Sequence, residues 1–367
     1  MSEREFERNR QRREFVDASG WRGGEIVPRP GDASTRSYAR VHLNGRTAML
    51  MDQPQSAEAP AAPADATPAE RHALGYNAVA RLAGADCGRF IAVSNYLRGL
   101  GLSAPEIYAA DCGRGLVLIE DLGDDLYAEV LRAGGDEREL YEAAAEVLAR
   151  LHDGGAPDAM GDRPLYAYDE TALLAEIELM TQWFLPLALK RETRPDEVDE
   201  HRALWREAIA RARDAAPVFV HRDYHAQNLI WLPKRDGVAR VGLIDFQDAV
   251  AGARSYDLIS LIEDARRDVA PEIAEATTRH YLDAAGRDED AYRAQMAVMA
   301  AQRNAKIAGI FARLHKRDGK PRYLSYLPRV WGYLNRDLDH PALARLKSWY
   351  DRTIPREARG AIDGATA

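Results

Sequence analysis

Residues 218–232 read Val-Phe-Val-His-Arg-Asp-Tyr-His-Ala-Gln-Asn-Leu-Ile-Trp-Leu: an apolar run, a polar stretch carrying His221, Asp223 and Asn228, and a second apolar run. Short apolar runs bounded by polar clusters are strand signals, so one strand delivers this polar loop and another leaves it. Further along, residues 242–248 read Gly-Leu-Ile-Asp-Phe-Gln-Asp, again an apolar strand, this time ending on Asp245. Two such motifs in this order are far stronger evidence than either alone. A chance polar hairpin in a helical protein would explain one of them, not the pair.

The spacing from His221 through Asp223 to Asn228 is that of the H-R-D-x-x-x-x-N catalytic loop of kinases, and Asp245 falls where a kinase places its metal-binding Asp. Phosphoryl transfer explains these residue types. A carboxylate orients the acceptor hydroxyl and takes its proton, and oxygen ligands hold magnesium against the phosphates. Asp223 meets the first need, Asn228 and Asp245 the second. His221 reads as structural, tying the loop to neighbouring backbone, because this chemistry needs no imidazole.

With 367 residues the chain exceeds one compact core and is expected to form two lobes. A formal net charge of −8 gives no chain-wide attraction for phosphate backbones, so no nucleic-acid partner is expected. The two cysteines, Cys87 and Cys112, lack CxxC spacing and point to neither a zinc site nor a disulfide, which fits a reduced, cytoplasmic setting. The opening residues are too charged for a signal peptide, no later run reads as long enough to cross a bilayer, and no membrane partner is expected. The Arg and Glu residues there read as the solvated face of a helix.

Along the chain, β-like runs at 38–43 and 47–51 flank Asn44-Gly45, a hairpin signal. Residues 53–68 are rich in Ala and Pro and read as an exposed loop or a lid. Apolar positions Ala78, Leu82, Phe90, Val93 and Leu97 indicate helix, and residues 115–123 form a buried strand ending in a turn. Beyond Asp124 the period is helical at 141–152, 170–187 and 197–215, around one β-rich island at 218–244. No internal repeat is present. The expected fold is α+β: a small N-terminal β-sheet lobe over residues 1–122 and a larger, mostly helical C-terminal lobe over 123–367.

On these motifs the sequence resembles the aminoglycoside phosphotransferase and choline kinase superfamily, whose two-lobed fold is protein-kinase-like. Asp245-Phe-Gln-Asp in place of Asp-Phe-Gly favours this branch. Gly31-Asp-Ala-Ser-Thr-Arg-Ser-Tyr, Met49-Leu-Met-Asp-Gln-Pro, Leu118-Ile-Glu-Asp-Leu-Gly, Ile244-Asp-Phe-Gln-Asp-Ala-Val and Phe311-Ala-Arg-Leu-His-Lys-Arg-Asp-Gly-Lys-Pro-Arg-Tyr are similar to segments of the bacterial anomeric kinases of N-acetylmuramate and N-acetylglucosamine. That resemblance runs through nearly the whole chain. It implies ATP and Mg2+ as cofactors, a small sugar as acceptor, and a sugar 1-phosphate as product in peptidoglycan recycling.

The resemblance also assigns the remaining site residues. Ser34, Thr35 and Arg36 lie before the first hairpin strand, where kinases place a loop over the phosphates, and Glu120 to Leu122 sit where backbone groups meet adenine. The strand that carries a phosphate-binding Lys in kinases supplies no basic residue here, so Arg36 or another basic side chain replaces it, or the metal carries more of the load. For the acceptor, Arg303, Lys306 and Arg313 offer charge to a carboxylate, and Asp248 lies toward magnesium or acceptor. Asp257, in Ser-Tyr-Asp-Leu, is expected to brace the catalytic loop. Two other readings stay open: the same machinery with an aminoglycoside, amino alcohol or other sugar hydroxyl as acceptor, and a catalytically silent nucleotide-binding protein. The sequence leaves the oligomeric state unassigned.

Overall fold

A computed structural model describes residues 3–30, 36–54, 62–63, 66–76, 79, 86–212 and 216–360. Most of the Ala/Pro segment at 53–68, together with Ala78, Leu82, Ser34 and Thr35, lies outside the described residues.

Helix α1 (Glu3–Val16) starts on Glu3 and Glu5 and carries Arg13 in its last turn, charges that complement the helix dipole. It is more than a solvated face. Phe15 and Val16 are buried, and Arg8 and Arg12 both pair with Asp52. Strands β1 (Glu25–Pro28), β2 (Ser37–Leu43), β3 (Arg46–Asp52), β4 (Ile107–Asp111) and β5 (Leu116–Glu120) form an antiparallel sheet of order β1-β2-β3-β5-β4. The β2–β3 turn takes φ of 50° at Asn44 and 76° at Gly45, the conformation that the Asn-Gly pair favours.

Side chains alternate across a strand, and both faces of this sheet are covered. Ala39, Val41, Ala48, Leu50, Leu116 and Leu118 pack against Phe15, Val16 and Trp21 on one side. Met51, Val117 and Ile119 face α3 (Cys87–Gly99), through Phe90, Val93 and Leu97, on the other. Double coverage is why residues 116–119 are continuously apolar. Helix α2 (Pro68–Leu74) precedes α3 and is capped by a reciprocal Thr67–Glu70 box.

Contrary to the reading of the cysteines, Cys87 and Cys112 form a disulfide, with Cα atoms 5.7 Å apart. The start of α3 lies against the β4–β5 turn, a proximity that spacing in sequence does not encode.

The second lobe contains α4 (Tyr127–Arg132), α5 (Glu137–His152), the short pair β6 (Ala159–Met160) and β7 (Arg163–Pro164), α6 (Glu170–Leu189) and α7 (Pro195–Ala212). Then come β8 (Val218–Val220), β9 (Leu229–Trp231), β10 (Val241–Leu243) and β11 (Val250–Gly252), followed by α8 (Ser255–Ile262), α9 (Pro271–Ala285), α10 (Glu289–Asp318), α11 (Leu327–Leu338) and α12 (Ala344–Thr353). The β-rich island is two separate ribbons, β9 with β10 and β8 with β11.

Helix α6 corrects a second expectation. By length and composition it is apolar enough to cross a membrane, yet 67% of that stretch is buried within the fold. It packs backbone to backbone on α10: a Cβ added at Gly309 would stand 2.5 Å from the carbonyl carbon of Leu179. One core, with Phe184, Trp205, Trp331 and Trp349, fills the helical lobe. A second runs from the inner face of the sheet through α3 and α5 to Phe219, Leu243 and Phe246, making the two lobes continuous around the β8–β10 loops.

Candidate active site

β8 ends at Val220 and the chain turns sharply, with φ of 76° at Arg222. A non-glycine residue in this region is strained by about 1–3 kcal/mol and needs a holder. The holder is Asp257 on α8, whose carboxylate accepts from the backbone N–H of His221 at 2.6 Å and of Arg222 at 2.9 Å. Burial raises the pKa of Asp257 to about 7, against the lowering effect of those two bonds. His221 Nε2 lies 3.1 Å from the carbonyl of Ile244, tying the loop to the strand end that carries Asp245. Both residues thus do what the sequence reading assigned them.

The carbonyl of Asp223 accepts from the N–H of His225 at 3.1 Å and from Nδ2 of Asn228 at 2.9 Å. The backbone of Asp223 is pinned while the residue stays exposed. Its pKa is held at about 2: desolvation pushes it up, but the charges of His225, Lys306, Arg222 and His221 outweigh that. Burial lowers both histidines to about 4, so at neutral pH Lys306 and Arg222 supply the lasting field.

Asp245 behaves oppositely. It also sits at positive φ, 61°, with its side chain about half exposed, and its pKa is raised by desolvation and by the negative charge of Asp223. Gln247 donates to its Oδ1 at 2.9 Å, and Arg36 approaches the same oxygen at 3.6 Å. Neighbouring carboxyl groups pushed apart in pKa mark an acid/base site.

This donor set fits a magnesium ion. Asn228 uses its amide N–H on the loop, so its side-chain carbonyl oxygen could serve a metal, and its backbone carbonyl accepts from Ile244 at 3.2 Å, next to Asp245 in the chain. Mg2+ in phosphoryl-transfer sites takes one or two protein oxygens and completes its shell with phosphate and water. No cluster of three or more His, Cys, Asp or Glu side chains suited to a metal occurs among the described residues.

Beside Asp223 lies a polar centre that the sequence reading missed. Glu176, on α6, is 1% exposed and is bonded by Tyr168, by Arg222 Nη2 at 2.7 Å, by Gln302 Nε2 at 3.1 Å and by Lys306 Nζ at 3.3 Å. Lys306 also donates to Tyr256 Oη at 2.7 Å. Desolvation would raise the Glu176 pKa, yet Lys306 and Arg222 hold it below its ordinary value. The available signal is the pair Glu176 and Glu178 within the largely apolar run of α6.

The other candidates divide. Arg313 stacks over the Tyr76 ring at 4.5 Å, and Tyr76 feels the charges of Glu176, Lys306, Arg313 and Arg222, so Lys306 and Arg313 share one basin. Arg303 bonds through its guanidinium to Ser260 Oγ at 2.9 Å and the Glu263 carbonyl at 3.2 Å, bracing α8 against α10, and its charge reaches His225 and Asp257. Asp248 offers its carbonyl to Arg222 at 3.5 Å. Glu120 pairs with Arg235 at 2.5 Å, and its N–H donates to Glu106 at 2.8 Å. Leu122 packs on β10, where a Cβ at Gly242 would come within 3.2 Å of it. Arg36 is buried, so of the three phosphate-loop residues named from sequence it is the one whose place is described.

The arrangement has counterparts. Against solved structures, the chain superposes on a choline/ethanolamine kinase family protein from Mesorhizobium loti with a TM-score of 0.56 at 15% identity, covering 93% of this chain and 98% of that one. An ADP-bound aminoglycoside phosphotransferase gives 0.54 at 14%, covering 92% and 98%. These likenesses establish the two-lobed fold. A protein of Caulobacter vibrioides named N-acetylmuramate/N-acetylglucosamine kinase is 44% identical over 361 residues, 96% of this chain and 98% of that one. One of the same name from Pseudomonas aeruginosa is 32% identical over 345 residues, 91% and 90% of the two chains. The pattern of the phosphotransferase enzyme family matches residues 25–294, spanning the sheet, both strand-borne carboxylates and Asp257, and the chain belongs to that family.

Proposed function

We propose that this protein is an ATP-dependent sugar kinase that phosphorylates the anomeric hydroxyl of N-acetylmuramate and N-acetylglucosamine, supplying sugar 1-phosphate to peptidoglycan recycling in the cytoplasm. The observation that carries the phosphotransfer reading is Asp223: an exposed carboxylate, ionised down to about pH 2, on a loop whose backbone is pinned by Asn228 and Asp257. The acceptor is supported by relatives of that name matching over nearly their full length.

Asp223 takes the proton of the anomeric hydroxyl as its oxygen bonds to the γ-phosphorus and the bond to the β-phosphate oxygen breaks, releasing ADP. Asn228 and Asp245 would hold magnesium, whose charge would offset that of the phosphates. Arg36, a buried cation 3.6 Å from Asp245, takes over the role of the strand Lys that kinases carry and this chain lacks. Lys306 and Arg313 make an electropositive acceptor basin, suited to the carboxylate of muramate. Glu120 to Leu122 form the hinge between residues 1–122 and 123–367, and backbone groups there receive adenine. Arg40, paired with Asp121 and Asp124 at 2.7 Å, secures that junction.

The test is ADP release with Mg2+ and ATP across N-acetylmuramate, N-acetylglucosamine, glucose, galactose, kanamycin and choline, with phosphorus NMR on the product. Turnover of the two N-acetyl sugars to a 1-phosphate, reduced at least about a hundredfold in Asp223→Asn, is the expected result. Turnover confined to kanamycin or choline would overturn the acceptor. No transfer to any of them would overturn the kinase reading.

A further inference from the structure

The turn that carries Asp245 is held from the other lobe by a residue with no part in the chemistry. Arg89, in the first turn of α3, is 2% exposed, and its guanidinium makes three hydrogen bonds, all to main-chain carbonyls. Nε donates to Gln247 at 2.9 Å, Nη2 to Ala249 at 2.8 Å and Nη1 to Pro164 at 2.8 Å, and the group lies over the Tyr166 ring at 4.8 Å. An arginine fork that spans two carbonyls two residues apart fixes the path of the chain between them.

That path is the metal-side turn. Gln247, whose carbonyl Arg89 binds, sends its own side-chain amide to Oδ1 of Asp245 at 2.9 Å. Phe246, between them, stacks on Phe90 of α3 with ring centroids 4.9 Å apart. Asp245 sits at φ of 61°, a conformation that persists only where its surroundings over-determine it. α3 is itself anchored: Asp86 caps it through the Gly88 N–H at 2.9 Å, and Cys87 is bonded to Cys112 at the β4–β5 turn.

We propose that Arg89 is a positioning residue for the metal site: it fixes the main chain at Gln247 and Ala249 so that the Gln247 amide orients the Asp245 carboxylate toward magnesium, and it couples that orientation to α3 of the sheet lobe. This rests on the reading of Asp245 as a metal-side carboxylate. Residues that orient a ligand from behind are worth about 10–100-fold in metal affinity, so the effect falls on metal binding before it falls on nucleotide binding.

The experiment measures Mn2+ binding to the protein with ADP by electron paramagnetic resonance, ADP affinity without metal by calorimetry, and the Mg2+ concentration for half-maximal turnover, in wild type, Arg89→Met and Arg89→Lys. Arg89→Met is expected to weaken Mn2+ binding about tenfold or more and raise the Mg2+ midpoint in parallel, with metal-free ADP affinity within twofold. Arg89→Lys, keeping the charge but not the fork, is expected to fall between. A folded Arg89→Met protein whose Mn2+ affinity is within twofold of wild type overturns the proposal, as does a loss of ADP affinity equal to the loss of metal affinity. Should Arg89→Met not fold, Gln247→Leu cuts the same link beyond the arginine, and unchanged Mn2+ affinity there also overturns it. Asp245→Asn separates the premises: if it binds Mn2+ like wild type, the metal reading of Asp245 fails, whatever Arg89 does.

Discussion

Gly309→Ala is the smallest change that tests the packing beneath the proposed acceptor basin. The added Cβ would lie 2.5 Å from the carbonyl carbon of Leu179, 2.6 Å from its Cβ and 2.7 Å from its oxygen. Carbon atoms in contact sit at about 3.5–4.0 Å, so α6 and α10 must part by about 1 Å. The obstacle is largely backbone, with no rotamer to swing aside, which puts the overpacking cost at the upper end of its range, about 3 kcal/mol. Alanine gains about 1 kcal/mol over glycine in a helix interior, leaving a net loss of about 2 kcal/mol. Lys306 stands one turn before Gly309 and Glu176 one turn before Leu179, and the two are joined at 3.3 Å. The wedge therefore also pulls on that ion pair. Urea unfolding followed by circular dichroism is expected to show a lower midpoint at unchanged slope, with a raised KM for the acceptor and an unchanged affinity for ADP. A variant as stable as wild type or more so would refute the close approach of the two helices.

Asp257→Ala removes the acceptor of two buried N–H groups, each worth about 1–3 kcal/mol, less about 1 kcal/mol recovered as Arg222 leaves its strained conformation. At pH 8, where a group titrating near 7 is ionised, the expected loss is about 1–5 kcal/mol by urea unfolding, with kcat falling more than tenfold; a loss below 1 kcal/mol with kcat within threefold would remove Asp257 as the loop's holder. His152 and His201 are buried and held at about 3, first by desolvation, against an unfolded value near 6.5. Their folded pKa values are depressed, so the unfolded chain binds more protons below pH 6.5, and each costs up to about 1.4 kcal/mol per unit as pH falls from there toward 3. Replacing His201, which accepts from Trp205 Nε1 at 2.9 Å, with Gln is expected to flatten the stability slope between pH 6.5 and 5 by about one proton, and an unchanged slope would count against the assignment.

The strand-borne carboxylates were legible because their chemistry needs fixed residue types at fixed spacing. The Asn-Gly hairpin and the apolar run at 116–119 were legible because turn geometry and burial act locally. The partnership of Asp257 with the catalytic loop followed from resemblance and appears in the structure as two backbone hydrogen bonds. What escaped depends on distance in sequence. The Cys87–Cys112 bond joins residues 25 apart, and Glu176 meets Lys306 across 130 positions, so no local pattern announces either. Helix α6 was legible as a helix at 170–187; that its apolar length would also suit a membrane was not, because Glu176 and Glu178 interrupt the run. The bonds of Arg303 to Ser260 and the Glu263 carbonyl, 43 and 40 positions away, are set by the packing of α8 on α10 and not by any local pattern.

Glu176 has a consequence for how this protein can change over evolutionary time. One carboxylate answers two cations that arrive from the catalytic loop and from α10. Losing it alone strands both charges in the interior, while losing either cation alone leaves the acid half answered. Positions 176, 222 and 306 therefore cannot drift independently, and a descendant recruited to a new acceptor would have to exchange them as a set or leave them alone and reshape the basin through Tyr76 and Arg313 instead.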